Sequence, residues 1–145
     1  CGRWGDGMAG IETVTLGVVA WDDTAAEHFR PVVLPDSPTG LEGLQNDVEA
    51  GAASVLAVMA DGERIGSVLV RLLAGGDGLH FVIECANADL PGFDLVETCM
   101  PALEGWAAKL GCVAVDVPTH RPGLVFKMKR RDYQVVQTVM RKAIA

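Results

Sequence analysis

The side chains that can do chemistry gather between Leu79 and Lys142. Asp89-Leu90-Pro91-Gly92-Phe93-Asp94 is an acidic, glycine-containing loop. It follows a strand-like run, Leu79 to Ala86, and leads into a helical pattern in which Glu97 lies three positions after Asp94, the spacing of a capping box. Amides at the start of a helix attract anions, but here Asp89 and Asp94 bring carboxylates and Pro91 removes a donor. The same residues also make a turn followed by a helix cap, with no ligand needed. Further on, Arg121, Lys127, Lys129, Arg130 and Arg131 form a basic cluster. Such a cluster suits a polyanion such as a nucleotide cofactor or, as a solvated helix face, neutralises nearby carboxylates.

Other candidates are more isolated. Glu84 alternates onto the strand face of His80 and Val82, opposite Phe81, Ile83 and Cys85, where by itself it is a solvent-facing charge. His28, His80 and His120 stand apart in sequence and read as surface or loop residues. Cys1, Cys85, Cys99 and Cys112 form no Cys-x-x-Cys pair, so no metal is expected; they read as reduced, buried, small hydrophobic residues. Trp21 and Trp106 read as core aromatics.

Local patterns predict the elements that must position these groups. Glu12 to Ala20 alternates as a first strand, and Asp22 or Asp23 caps a helix through about Val33. A turn at Asp36 to Thr39 starts a second helix that Gly51 stops. Ser54 to Ala60 and Arg64 to Leu73 flank Asp61-Gly62 as a hairpin, and the glycine-rich run Gly75 to Gly78 reverses the chain into the strand at Leu79. The helix from Asp94 runs to Gly111, with a kink or a later start expected at Pro101. Cys112 to Val117 is a short strand, Thr119 caps a helix through about Arg131, and Tyr133 to Arg141 alternates as a closing strand.

At 145 residues, half of them hydrophobic and 21% charged, the chain has apolar area enough for one core. Residues 1–7 read as a tag-like or leader segment before Met8, and residues 8–145 as one domain. No uncharged apolar run reaches the roughly 18 residues of a membrane span, so a cytoplasmic location is expected. The net charge of −7 divides sharply: residues 1–120 carry −13 and residues 121–145 carry +6. Overall acidity disfavours general nucleic-acid binding.

The order strand, two helices, three antiparallel strands, helix, strand, helix, strand resembles the GNAT N-acyltransferases from residue 11 onward. The local likeness is strongest over Leu103 to Tyr133, through Ala-Lys-Leu-Gly-Cys at 108–112, His-Arg-Pro-Gly-Leu at 120–124 and Lys-Arg-Arg-Asp-Tyr at 129–133. It is similar above all to small GNAT-like proteins of bacteriophages and prophages. The resemblance implies an α/β (α+β) fold with a mostly antiparallel sheet that opens between the fourth and fifth strands.

For a site, the resemblance implies acetyl-CoA as cofactor and a small-molecule or peptide amine as acceptor. Glu84 becomes the base, and the backbone of Cys85, Ala86 and Asn87 aligns the thioester. Amides of Gly92, Phe93 and Asp94 face the pyrophosphate, and Arg121 can contact phosphate. Active members carry Gln/Arg-x-x-Gly-x-Gly/Ala where this chain has Asp89 to Asp94; each added carboxylate at about 5 Å opposes a phosphate by roughly 1–3 kcal/mol, enough to weaken binding about tenfold. The family's proton-donating tyrosine falls on Met128, so protonation of the thiolate is left to water. These departures also suit a second expectation: a non-catalytic phage or prophage accessory or virion-assembly protein on the same scaffold, acting as a homo-oligomer or virion component.

Overall fold

A computed structural model describes residues 13–33, 39–119 and 121–144. The leader at 1–7, the turn at Asp36 to Pro38 and His120 lie outside the described residues. Strand β1 (Val14–Val19) leads to helices α1 (Asp23–Phe29) and α2 (Gly40–Glu49). Strands β2 (Ser54–Ala60), β3 (Glu63–Gly75) and β4 (Gly78–Ala88) follow, then α3 (Leu95–Lys109), β5 (Ala114–Asp116) and α4 (Pro122–Lys129). The sheet keeps chain order, β1-β2-β3-β4-β5; its first four strands are antiparallel, and β5 runs parallel to β4.

Local chemistry explains the boundaries. The Asp22 carboxylate accepts the Ala25 amide at 2.8 Å and so opens α1, which ends at Phe29, earlier than its apolar pattern suggests. At the β2–β3 turn both Asp61 and Gly62 have positive φ, 50° and 87°, the twist that a two-residue hairpin requires. Asp61 also ties down the start of β1, accepting the Thr13 amide on its side chain at 2.8 Å and donating its own amide to the Thr13 carbonyl at 2.9 Å. The next reversal narrows to Gly76-Asp77, with Gly75 and Gly78 drawn into the flanking strands.

Both faces of the sheet are covered, so its central strands are apolar on both sides. On one face Val55, Leu69 and Cys85 pack with Ala25 and Phe29 of α1, and Trp21 lies 5.9 Å from the Phe29 ring. On the other, Leu56, Val58, Val68, Phe81 and Ile83 meet Cys99, Met100, Leu103 and Ala107 of α3 and Met128 of α4. Trp106 meets Phe81 edge-on at 5.8 Å.

Four further boundaries differ from the sequence patterns. α3 starts at Leu95 and continues through Pro101, because Asp94 already caps it about two turns earlier. β5 contracts to Ala114–Asp116, the residues in register with β4, with the Val113 amide donating to the Leu79 carbonyl just before it at 2.8 Å. α4 starts at Pro122, whose fixed φ suits a first helical position, with Arg121 as N-cap; the Thr119 hydroxyl accepts the Arg121 amide at 3.1 Å. The alternating segment from Tyr133 to Arg141 has no regular structure, since no strand among the described residues pairs with it. Its start is fastened to α3, where the Tyr133 hydroxyl donates to Glu104 Oε2 at 2.7 Å.

Candidate functional site

The pairing of β5 with β4 ends at Val82↔Asp116, but β4 continues to Ala88 with only β3 beside it. The two strands therefore part next to Ile83 to Ala88. Gly66 of β3 lets this upper part of β4 approach closely: a Cβ there would lie 2.6 Å from the Asn87 carbonyl oxygen and 3.0 Å from the Ala88 Cβ.

Within the parted segment Leu69 faces Cys85 while Val70 faces Ile83, which leaves Glu84 as the extra residue of a bulge. A bulge breaks the alternation of sides. Ile83 and Phe81 stay in the α3-side core whereas Cys85 joins the α1-side core, so the face shared by Cys85, Ile83 and Phe81 in the sequence reading is corrected. Burial, and then the Glu84 charge, push the Cys85 thiol up to about 12; burial takes Cys99 to about 12 as well. Neither is a thiolate nucleophile at neutral pH. Cys112 is also a free thiol.

Glu84 is not a lone surface charge. Arg71 Nη2 donates to its Oε2 at 2.9 Å, and Arg71 Nε lies 2.6 Å from Oε1, a close ion pair rather than an aligned hydrogen bond. The same guanidinium donates to Asp47 of α2 at 2.8 Å. Burial works against the charge of Arg71, but the two carboxylates outweigh it and raise its pKa above the ordinary value.

The next residues are strapped to α1 and to β3. Asn87 Nδ2 donates to the His28 carbonyl at 2.9 Å, and the Asp89 amide donates to the Ile65 carbonyl at 2.8 Å. His28 is buried, contrary to its reading as a surface or loop residue, because its ring spans Ser67 Oγ at 2.7 Å and Asp89 Oδ2 at 3.2 Å. Arg64 extends the chain from Ser67 Oγ at 3.0 Å to Asp22. Serine, histidine and aspartate in a row are the ingredients of nucleophilic catalysis. Here Ser67 is wholly enclosed and no substrate reaches it, so the row positions the loop instead.

At the far end of the loop Gly92 has φ 79°, and the Phe93 amide closes a turn onto the Leu90 carbonyl at 3.1 Å. Asp94 Oδ1 accepts the amides of Val96 at 3.0 Å and Glu97 at 3.2 Å, and Lys127 of α4 lies 3.1 Å from Oδ2. Burial disfavours this carboxylate, but those amides and Lys127 hold its pKa below the usual range. The start of α3 thus carries an anion of its own. The amides of Gly92, Asp94 and Leu95 meet no acceptor among the described residues.

The basic cluster divides. Lys127 neutralises Asp94, Arg131 donates to Glu104 Oε1 at 3.0 Å, and Arg130 lies 5.8 Å above the Phe126 ring. The Arg121 guanidinium pairs with no carboxylate among the described residues and is exposed. Met128 is buried in the core and its thioether has no proton to give, while the Tyr133 hydroxyl is engaged by Glu104 and its pKa is raised by burial and by that carboxylate. His80, half-buried rather than free, bridges Asp77 at 2.7 Å and Asp116 of β5 at 2.8 Å. Among the described residues no three His, Cys, Asp or Glu side chains form a metal-binding group, and no helix is long and apolar enough to cross a membrane.

This architecture recurs in solved acetyltransferases. A ribosomal-protein-alanine N-acetyltransferase from Brucella melitensis biovar Abortus 2308 superposes with TM-score 0.63 at 15% identity, over 92% of this chain and all of the other. An aminoglycoside N-acetyltransferase in complex with coenzyme A gives 0.57 at 16% identity, over 92% and 98%. A transcriptional regulator from Bacillus halodurans C-125 gives 0.67 at 13% identity, over 91% and 100%. No family model and no curated protein matches the sequence. The chain has the GNAT acetyltransferase fold, a five-stranded mixed sheet flanked by helices.

Proposed function

We propose that this protein is an acyl-CoA-dependent N-acyltransferase that moves an acetyl group from acetyl-CoA to the amine of a small molecule or peptide. The observation that carries the proposal is the parting of β4 from β5 beside the start of α3, within a fold shared with a coenzyme-A-bound enzyme. Acetyl-CoA would supply the activated thioester carbon. The backbone of Cys85, Ala86 and Asn87 would align it, and the pyrophosphate would take the amides left at Gly92, Asp94 and Leu95, with Arg121 as a countercharge. Phe93 would line this turn through its side chain, since its amide is already used. Glu84 would accept the amine proton: its side chain is partly exposed, and each carboxylate oxygen keeps a second lone pair beyond its contact with Arg71. Water would protonate the departing thiolate.

One observation favours a different reading, a non-catalytic phage or prophage accessory protein on this scaffold: the Asp94 carboxylate occupies the α3 amides that an anion would use. Thermal unfolding with acetyl-CoA separates the two. A bound ligand at 100 times its dissociation constant stabilises the fold by about 2.7 kcal/mol. A rise in melting temperature together with acetyl transfer to a polyamine or peptide is expected; an unchanged melting temperature at millimolar acetyl-CoA removes the enzyme reading.

A further inference from the structure

Strand β1 ends the strand order on its side, with no strand beyond it among the described residues. In a regular antiparallel ladder one residue turns both its N–H and its C=O toward a neighbour, and the next residue turns both away. The Asp61 amide donates to the Thr13 carbonyl, and the register from Val14↔Ala60 to Val19↔Val55 runs on from there without a break. Thr15, Gly17 and Val19 therefore face β2, while Val14, Leu16 and Val18 turn their backbone groups to the open edge. Edge strands are ordinarily blunted by charge, proline or a bulge. Val-Thr-Leu-Gly-Val-Val carries no charge and no proline, and its ladder with β2 has no bulge.

The side chains of the same three residues line an apolar trough between β1 and α3. A hollow of about 470 Å³ at Leu16 and Val18 adjoins one of about 370 Å³ at Val14 and Leu16, and Trp106 lines both. The α3 wall is kept low by Ala102 and Gly105; a Cβ added at Gly105 would meet no atom within 4 Å. Val18 is left 63% exposed. The trough has one ionic group, Lys109 at its Val18 end, and no acidic side chain lines either hollow. Every other charged residue of α3 and α4 that meets a carboxylate does so elsewhere, and Lys109 meets none among the described residues.

We propose that this trough docks an extended peptide segment of a protein partner, which adds to the β1 edge as an antiparallel strand with apolar side chains at alternate positions and an acidic side chain at Lys109. Backbone pairing with Val14, Leu16 and Val18 supplies affinity, and the alternate side chains supply selectivity. Those three residues span about 13 Å of strand, so roughly five peptide residues cover them. The carboxylate lies opposite Val18, where Lys109 answers it, and the two apolar side chains lie opposite Leu16 and Val14 against Trp106. An alkyl chain would fill the trough but leave the backbone groups of the edge unused, and a nucleic acid would find a single cation beside an apolar floor.

The probe is the capped hexapeptide acetyl-Asp-Thr-Val-Thr-Val-Thr-amide, titrated into the full isotopically labelled chain and followed by amide NMR. Shifts centred on Val14, Leu16, Val18 and the Trp106 indole are expected, with binding at about millimolar concentration or tighter. No shift there, or shifts centred on another element, overturns the proposal. Methylating the backbone nitrogen of the first valine removes the hydrogen bond to Leu16 and is expected to weaken binding at least about tenfold; unchanged affinity shows that no strand is added and overturns it. Lys109 is exposed, so Lys109→Glu leaves the fold intact and is expected to reverse the preference, favouring a peptide that begins with lysine over the one that begins with aspartate. A preference that does not reverse overturns the charge assignment. Contacts in the peptide-free chain between β1 amides and residues 1–12, or a mass of twice 15.3 kDa that falls when Val18 is changed to Lys, would give the edge to the chain itself or to a second copy and overturn the proposal.

Discussion

The two halves of β4 are held in different ways. From His80 to Val82 the strand pairs with a neighbour on each side, and apolar packing of Phe81 against Trp106 completes it. From Ile83 to Ala88 it has one neighbour, and polar side chains take over: Glu84 to Arg71 and Asp47, Asn87 to the His28 carbonyl, and His28 to Asp89 just beyond. Ladder hydrogen bonds make a strand stable but use up its backbone donors. Side-chain straps hold the parted half while leaving the side toward β5 unpaired among the described residues. The lower half should therefore govern global stability, and the upper half should govern local order and binding.

The sharpest break in that division is Phe81→Ala. Phe81 is fully enclosed in the α3-side core, so the change is expected to cost about 3–5 kcal/mol. Urea unfolding measures it, and a cost below about 1 kcal/mol would mean that the lower half is not the anchor. His28→Ala comes next, at about 2 kcal/mol, because Ser67 would keep a buried hydroxyl short of a partner. Its signature should be local: amide exchange should speed up at Cys85 to Asp89 more than at His80 to Val82. Equal acceleration in both halves would erase the contrast.

Asp94→Asn acts on the ligand more than on the fold. Asparagine caps a helix about as well as aspartate, so stability should change by less than about 1 kcal/mol. Removing the charge should tighten acetyl-CoA binding about tenfold, read by calorimetry. An affinity that does not move would place the pyrophosphate elsewhere or favour the non-catalytic reading.

Much of this arrangement is visible in the sequence wherever the cause is local. Asp61-Gly62 marks its hairpin, Asp94 its helix start, and the order of strands and helices follows from periodicity up to α4. What escapes is set at a distance. The bulge at Glu84 exists only in the register of β4 against β3, so alternation alone misplaces Cys85. Burial of His28 depends on Ser67, 39 residues away, and on Asp89, 61 residues away, and neither leaves a motif. The Arg71 pair with Glu84 is non-local in the same way. The closing strand fails for a related reason: a strand is a relation between two segments, and among the described residues Tyr133 to Arg141 lacks the second.

The smallest expected effect lies within the lower half, where His80, the first residue of β4 to pair with β5, bridges Asp77 and Asp116 and so ties the two strands together. Hydrogen bonds to Asp77 and then to Asp116 raise the His80 pKa in the folded state, outweighing burial. A histidine whose folded pKa exceeds its unfolded value of about 6.5 adds its full stabilisation below that value. The contribution fades as pH climbs through the folded pKa. The difference in melting temperature between the native chain and His80→Gln should therefore be largest near pH 5 and shrink on the alkaline side, with an NMR titration midpoint for His80 above about 6.5. A midpoint at or below the model-peptide value would show that the imidazole does not carry a charge between the two carboxylates, and β4 and β5 would then be joined at this level by their backbone pairing alone.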